Sequence, residues 1–95
     1  MNFEFNITGM LTLRFSKQAD KALIKMPNGI ALKMVAELNS IAASPHTYRG
    51  DWKPLQGMKN IWRLRVGDWR ALCELNNGEL ILLVIKISSR GNIYL

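Results

Sequence analysis

The chain has 95 residues, 48% hydrophobic and 21% charged, which suffices for one packed core and is too apolar for a disordered segment. Thirteen Lys and Arg against seven Asp and Glu leave a net charge of +6, so the molecule should attract polyanions: nucleic acid, an anionic membrane surface or an acidic protein. One Cys and one His exclude an internal disulfide and the usual zinc sites, so no metal or other cofactor is expected beyond a loosely held magnesium ion.

Residues 1–9 read as an N-terminal extension, either an extra strand, an arm or a misassigned start, ahead of a single domain over 10–95. Met1-Asn2-Phe3-Glu4-Phe5 has no basic stretch before an apolar one, so no signal peptide is expected. From Met10 to Phe15, Leu11, Leu13 and Phe15 fall on one face and Thr12 and Arg14 on the other, which predicts a strand. Ser16 supplies a helix cap, and Ala19, Leu23 and Met26 recur at helical spacing until Pro27-Asn28-Gly29 breaks the run. Lys17, Lys21 and Lys25, four residues apart, read as the solvated face of that helix. A second helix carries Ile30, Met34, Leu38 and Ile41 on one stripe beside Ala31, Val35 and Ala42, and Ser44-Pro45 stops it.

Tyr48 to Lys59 contains Gly50, Pro54 and Gly57 and reads as mostly loop. Its first part, Tyr48-Arg49-Gly50-Asp51-Trp52-Lys53, interleaves aromatic and basic groups, which suits either stacking on an exposed base or plugging a sheet edge. Three strands follow: Ile61 to Val66, Trp69 to Leu75, and Leu80 to Ile87. Gly67-Asp68 has the Gly-first form of a type II′ turn, and Asn77-Gly78 is a type I′ signal. The expected fold is α+β, a helical hairpin packed on one face of an antiparallel sheet, in the order strand-helix-helix-strand-strand-strand. Leu80–Ile85 is the longest apolar run and is too short to cross a bilayer, so a cytoplasmic protein without membrane contact is expected. The last strand is apolar on both faces, so the tail, the loop or a partner should cover its second face.

A two-residue loop at Gly67-Asp68 fixes the hairpin register. Val66 then pairs with Trp69, Arg65 faces Arg70, Leu64 faces Ala71 and Arg63 faces Leu72. Alternation sends Trp62, Leu64, Val66, Trp69, Ala71, Cys73 and Leu75 to the core and gathers Arg63, Arg65 and Arg70 on the other face. Like charges opposed across a sheet cost roughly several tenths of a kcal/mol. A bound anion would relieve that cost, and the guanidinium fork suits phosphate. Glu74 or Asp68 offers the alternative of neutralising some of these arginines. His46 reads as an ordinary exposed loop residue and Cys73 as a buried structural thiol.

Trp62-Arg63-Leu64-Arg65-Val66-Gly67-Asp68-Trp69-Arg70 resembles the aromatic-basic-apolar-Arg-x-Gly-Asp-aromatic-Arg stretch of the RelE/ParE toxin superfamily. It follows Leu55-Gln56-Gly57, as in that family. The tail Ile87-Ser88-Ser89-Arg90-Gly91-Asn92-Ile93-Tyr94 is similar to the family's closing motif, apolar-x-His-Arg-x-x-Val/Ile-Tyr. Phe15-Ser16-Lys17-Gln18-Ala19 and the helix end at Ser44-Pro45 also match. The resemblance implies a type II toxin that is wrapped by an antitoxin with an acidic or amphipathic segment. RelE-like members cleave mRNA on the ribosome, where the RNA 2′-hydroxyl attacks the neighbouring phosphate without metal and the helices also meet ribosomal RNA, an alternative to the solvated face for Lys17, Lys21 and Lys25; ParE-like members inhibit DNA gyrase. A non-toxic member that keeps only antitoxin and operator binding is a third reading.

For the nuclease, the resemblance implies Arg65, Arg70, Arg90 and Tyr94 as the catalytic set, with Arg70 stabilising the charge of the phosphorane-like transition state. Arg63, Lys53, Lys59, Arg49 and Trp52 would contact RNA or its phosphates. Two positions depart from the family pattern. Ser89 stands where many members have His, and Arg65 where some nucleases have Lys, which leaves Tyr94 as the titrating member of the set.

Overall fold

The computed structural model describes residues 10–89, so the N-terminal extension and the tail residues Arg90 and Tyr94 lie outside the described residues. The element order is β1 (Thr12–Phe15), α1 (Lys17–Lys25), α2 (Asn28–Ala43), β2 (Asp51–Pro54), β3 (Ile61–Val66), β4 (Trp69–Asn76) and β5 (Ile81–Ser88). The strands form one sheet in the order β1-β5-β4-β3-β2. It is antiparallel except for its outer pair, where β1 runs parallel to β5. The helical hairpin lies on one face. Met34, Leu38 and Ile41 of α2 are buried with Leu64, Ala71, Cys73, Leu82, Val84 and Ile87 of the sheet.

The break between the helices is shorter than expected, because Asn28 and Gly29 already belong to α2. Met26 is held extended (φ −70°, ψ 153°) by the proline that follows it. The segment expected to be loop contains the short strand β2, antiparallel to β3 with Asp51 opposite Arg65 and Lys53 opposite Arg63. Pro54 is tolerated because β2 is the sheet edge. Between α2 and β2, the Tyr48 hydroxyl donates to Glu37 and passes over Gly50, where a Cβ would lie 2.0 Å from the phenol oxygen.

The β3–β4 hairpin has the expected register, with Arg65 opposite Arg70 and Val66 opposite Trp69. Gly67 has φ +61°, the left-handed first position that a type II′ turn requires. The next connection departs from the type I′ expectation. Asn76 pairs with Ile81, so residues 77–80 form a four-residue loop in which Leu80, not Gly78, takes the positive φ (57°). The Asn76 side chain organises this loop. Its Oδ1 accepts the Glu79 N–H at 3.0 Å and its Nδ2 donates to Glu79 Oε1 at 3.2 Å.

Strand β5 outruns β1, which ends at Phe15 opposite Val84. The first turn of α1 takes over the vacant edge. Ser16 N donates to Val84 O at 2.9 Å. The Ser16 hydroxyl donates to Ile85 O at 2.5 Å and accepts the Ala19 N–H at 3.1 Å, so one side chain both caps the helix and serves the sheet. Gln18 then grips both polar groups of Ile87, donating to its carbonyl at 3.2 Å and accepting its N–H at 3.0 Å. The second face of β5 is partly covered by the loop, since Leu55 and Ile85 pack on buried Ile61 and Leu72.

Candidate functional site

The face turned away from the helices carries two rows of side chains running across four strands. The register of β2 through β5 lines up Asp51, Arg65, Arg70 and Ser88 in the row nearest the Gly67-Asp68 turn, and Lys53, Arg63, Leu72 and Lys86 in the next. These rows bring together five basic residues and one carboxylate. Directly opposed residues have Cβ atoms about 4.5–5.5 Å apart, so Arg65 and Arg70 start side by side on neighbouring strands.

The three hairpin arginines differ in their partners. Arg63 donates to Asp51 Oδ1 at 2.9 Å, with side-chain exposures of 19% and 38%, so the neutralising carboxylate comes from β2 rather than from Glu74 or Asp68. Arg65 and Arg70 meet no carboxylate among the described residues. Each folds back on its own turn, Arg65 Nε donating to Gly67 O at 3.1 Å and Arg70 Nη1 to Asp68 O at 3.0 Å. Each thereby uses one of a guanidinium's five donors, and Arg65 is exposed while Arg70 is half-buried. This is a preorganised double cation with most of its donors available, suited to clamp a phosphodiester and to stabilise charge that develops on it.

Of the other expected contacts, Lys53 is exposed in the second row. Arg49 precedes β2 at the same end of the sheet as the arginine pair. Lys59 lies in the turn before β3, six residues back from Arg65, or at most about 20 Å at the rise of a strand. Trp52 is on the opposite face. It stacks on Trp62 with ring centroids 5.1 Å apart and planes at 17°, and both pack against the core, so the structure places its ring at the sheet edge on the side away from the arginines. Trp62 and Trp69 also pack against the core, as expected. His46 is exposed and lines a cavity of about 180 Å³ with Trp52, Asn60 and Trp62, on the face opposite the arginines. Cys73 is fully buried, and burial pushes its thiol pKa up.

Sequence reasoning did not find Lys86 or the role of Asp51. Lys86 is the one charged residue in β5 and was the available signal. Among the described residues no group of three His, Cys, Asp or Glu could hold a metal ion, and no helix is long and apolar enough to cross a membrane.

Residues 13–94 match the family model of the ParE toxin of type II toxin–antitoxin systems, parDE. Among solved structures, the archaeal RelE–RelB complex from Pyrococcus horikoshii OT3 is similar at TM-score 0.75 and 22% identity, over 88% of this chain and 99% of that one. The intact E. coli RelBE toxin–antitoxin complex is similar at TM-score 0.73 and 17% identity, over 86% and 99%. A metal-bound toxin from Helicobacter pylori is similar at TM-score 0.67 and 25% identity, over 90% and 100%. No curated protein matches significantly. The fold is that of RelE toxins, and the family match spans the helical hairpin and, apart from Thr12, every strand of the sheet that carries the arginine pair. The chain therefore belongs to the ParE toxin family of type II toxin–antitoxin systems, within the RelE/ParE superfamily.

Proposed function

We propose that this toxin is a metal-independent, ribosome-dependent mRNA endonuclease, held inactive by an antitoxin whose acidic or amphipathic segment covers the arginine face. The observation that carries this reading is the Arg65–Arg70 pair, opposed across the hairpin and without carboxylate partners among the described residues. In the reaction the RNA 2′-oxygen bonds to phosphorus and the P–O5′ bond breaks, leaving a cyclic phosphate and a 5′-hydroxyl. One proton leaves the 2′-hydroxyl and one arrives on the 5′-oxygen. Arg65 and Arg70 hold the non-bridging oxygens as their charge grows, and Tyr94 is the candidate for proton transfer. The RelB–RelE complexes among the structural relatives support the antitoxin.

Adding the protein to a cell-free translation reaction and mapping message ends by primer extension tests the proposal. New 5′ ends that appear only with translating ribosomes are expected, and intact message at stoichiometric toxin overturns it. One observation favours a second reading, inhibition of DNA gyrase: Ser89 replaces the histidine of many family members, which removes the usual group for proton transfer near neutral pH. A supercoiling assay left unaffected by the protein would eliminate that reading.

A further inference from the structure

The clamp between Gln18 and Ile87 fixes what the next turns of α1 can reach. Lys21 and Lys25, three and seven residues further on, share Gln18's side of the helix. They overhang a groove of about 360 Å³ between α1 and the end of β5, lined also by Ala22, Trp69, Ser88 and Ser89. Among the described residues the lining contains no carboxylate and neither lysine forms a salt bridge. Trp69 is half-buried, so part of its ring remains in the groove while the rest packs against the core. Both lysines are exposed, as their four-residue spacing suggests, and the same exposed ammonium groups border the groove.

The groove adjoins the strand ends that carry the arginine pair, since its lining residues Trp69 and Ser88 are the chain neighbour and the cross-strand partner of Arg70. Trp69 and Arg70 are consecutive in β4, so strand alternation sends the indole to the helix side and the guanidinium to the far side of one rim. Ser88, opposite Arg70, also lines the groove. A single-stranded polynucleotide crossing that rim would place one phosphate on the arginines, a neighbouring base on Trp69 and later phosphates beside Lys21 and Lys25. An aromatic face, two ammonium groups and a pair of serines suit an unstacked nucleotide better than a duplex, whose bases cannot reach the ring.

We propose that this groove is a second nucleotide subsite, binding the single-stranded RNA that flanks the phosphodiester on Arg65 and Arg70. It rests on the reading that the arginine face takes an RNA phosphate. The test is titration of the full chain, without ribosomes, with a labelled six-nucleotide single-stranded RNA at several salt concentrations, following anisotropy and tryptophan emission. RNA should quench the wild-type emission, and Trp69→Phe should lose that quenching with little loss of affinity. Trp69→Leu should bind about tenfold more weakly, on the scale of one base stack. Lys21→Gln/Lys25→Gln should lower the slope of log K against log salt by about 1.4, since each phosphate contact in a single strand contributes about 0.7.

Wild-type affinity and slope in both Trp69→Leu and the lysine double variant would overturn the subsite. If Arg65→Gln/Arg70→Gln alone lost binding, the arginine face would still stand without it. Conversely, quenching and the slope change without ribosomal cleavage would keep the subsite and remove the nuclease. Tight capture of an acidic peptide by the groove with no RNA binding would also overturn the subsite.

Discussion

Replacing Gln18 with Ala removes both partners of Ile87, the residue that ends the buried part of β5. Each hydrogen bond of this kind contributes about 1 kcal/mol net. Ile87 is only 2% exposed, but Gln18 itself is exposed, so water can reach part of the vacated edge and the full penalty of two orphaned groups does not apply. A loss of about 1–2 kcal/mol follows, which lowers the melting temperature of a domain this size by roughly 5–15 °C. Lys17→Ala, one residue earlier and fully outside the clamp, supplies the reference for helix propensity, because Lys and Gln differ little there. Urea unfolding of the two variants gives the difference directly, and amide exchange at Ile87 should accelerate only in Gln18→Ala. If the two variants were equally stable within about 0.3 kcal/mol, with Ile87 still protected, the idea that α1 completes the edge of β5 would be refuted.

The two hairpin connections should respond differently to alanine. Gly67→Ala must hold φ +61° with its Cβ 3.3 Å from the flexible tip of Ile30, and should cost about 1 kcal/mol in urea unfolding. Gly78→Ala meets only ordinary contact at 3.5 Å with Asn76 Oδ1 and should be neutral within about 0.5 kcal/mol; equal losses at both sites would contradict the turn assignments. The Tyr48 phenol pKa is raised first by burial, then by its hydrogen bond to Glu37 and by the charges of Glu37 and Asp51. Its stabilising contribution is therefore complete below the unfolded-chain value of about 10 and declines as pH rises above that. The stability gap between wild type and Tyr48→Phe should shrink between pH 9 and 11, and a constant gap would show that the hydroxyl is not so held. Asp51→Asn releases Arg63 and should cost less than about 1 kcal/mol while tightening single-stranded RNA binding; weaker binding would mean that Asp51 positions Arg63 for the ligand instead of competing with it.

The hairpin that builds the site was legible because two local signals agreed. Gly in the first turn position set a two-residue loop, and strict alternation from Trp62 to Leu75 then assigned every side chain to a face. Strand β2 was hidden because four residues containing a proline, bounded by Gly50 and Gly57, carry no periodicity of their own; its pairing with β3 makes it a strand. Lys86 was hidden by a bulge. Leu72 pairs with Lys86 but Cys73 with Val84, so Ile85 is the extra residue and the phase of β5 reverses there. Unbroken alternation from Leu82 and Val84 would have buried Lys86 and exposed Ile87. An apolar run from Ile81 to Ile85 gives no way to see that reversal. The partner of Arg63 was missed for the same reason as β2, since Asp51 reaches it only through a strand that the sequence does not announce.

In the proposed reaction Arg65 and Arg70 grip one phosphodiester together. A double-mutant cycle on ribosome-dependent message cleavage measures this most directly, using Arg65→Gln, Arg70→Gln and the combination. Two groups that act on the same phosphate should be strongly coupled, so that the double variant loses scarcely more rate than the worse single one. Losses that simply multiply, or single variants that cleave at the wild-type rate, would show that the two arginines do not share a phosphate.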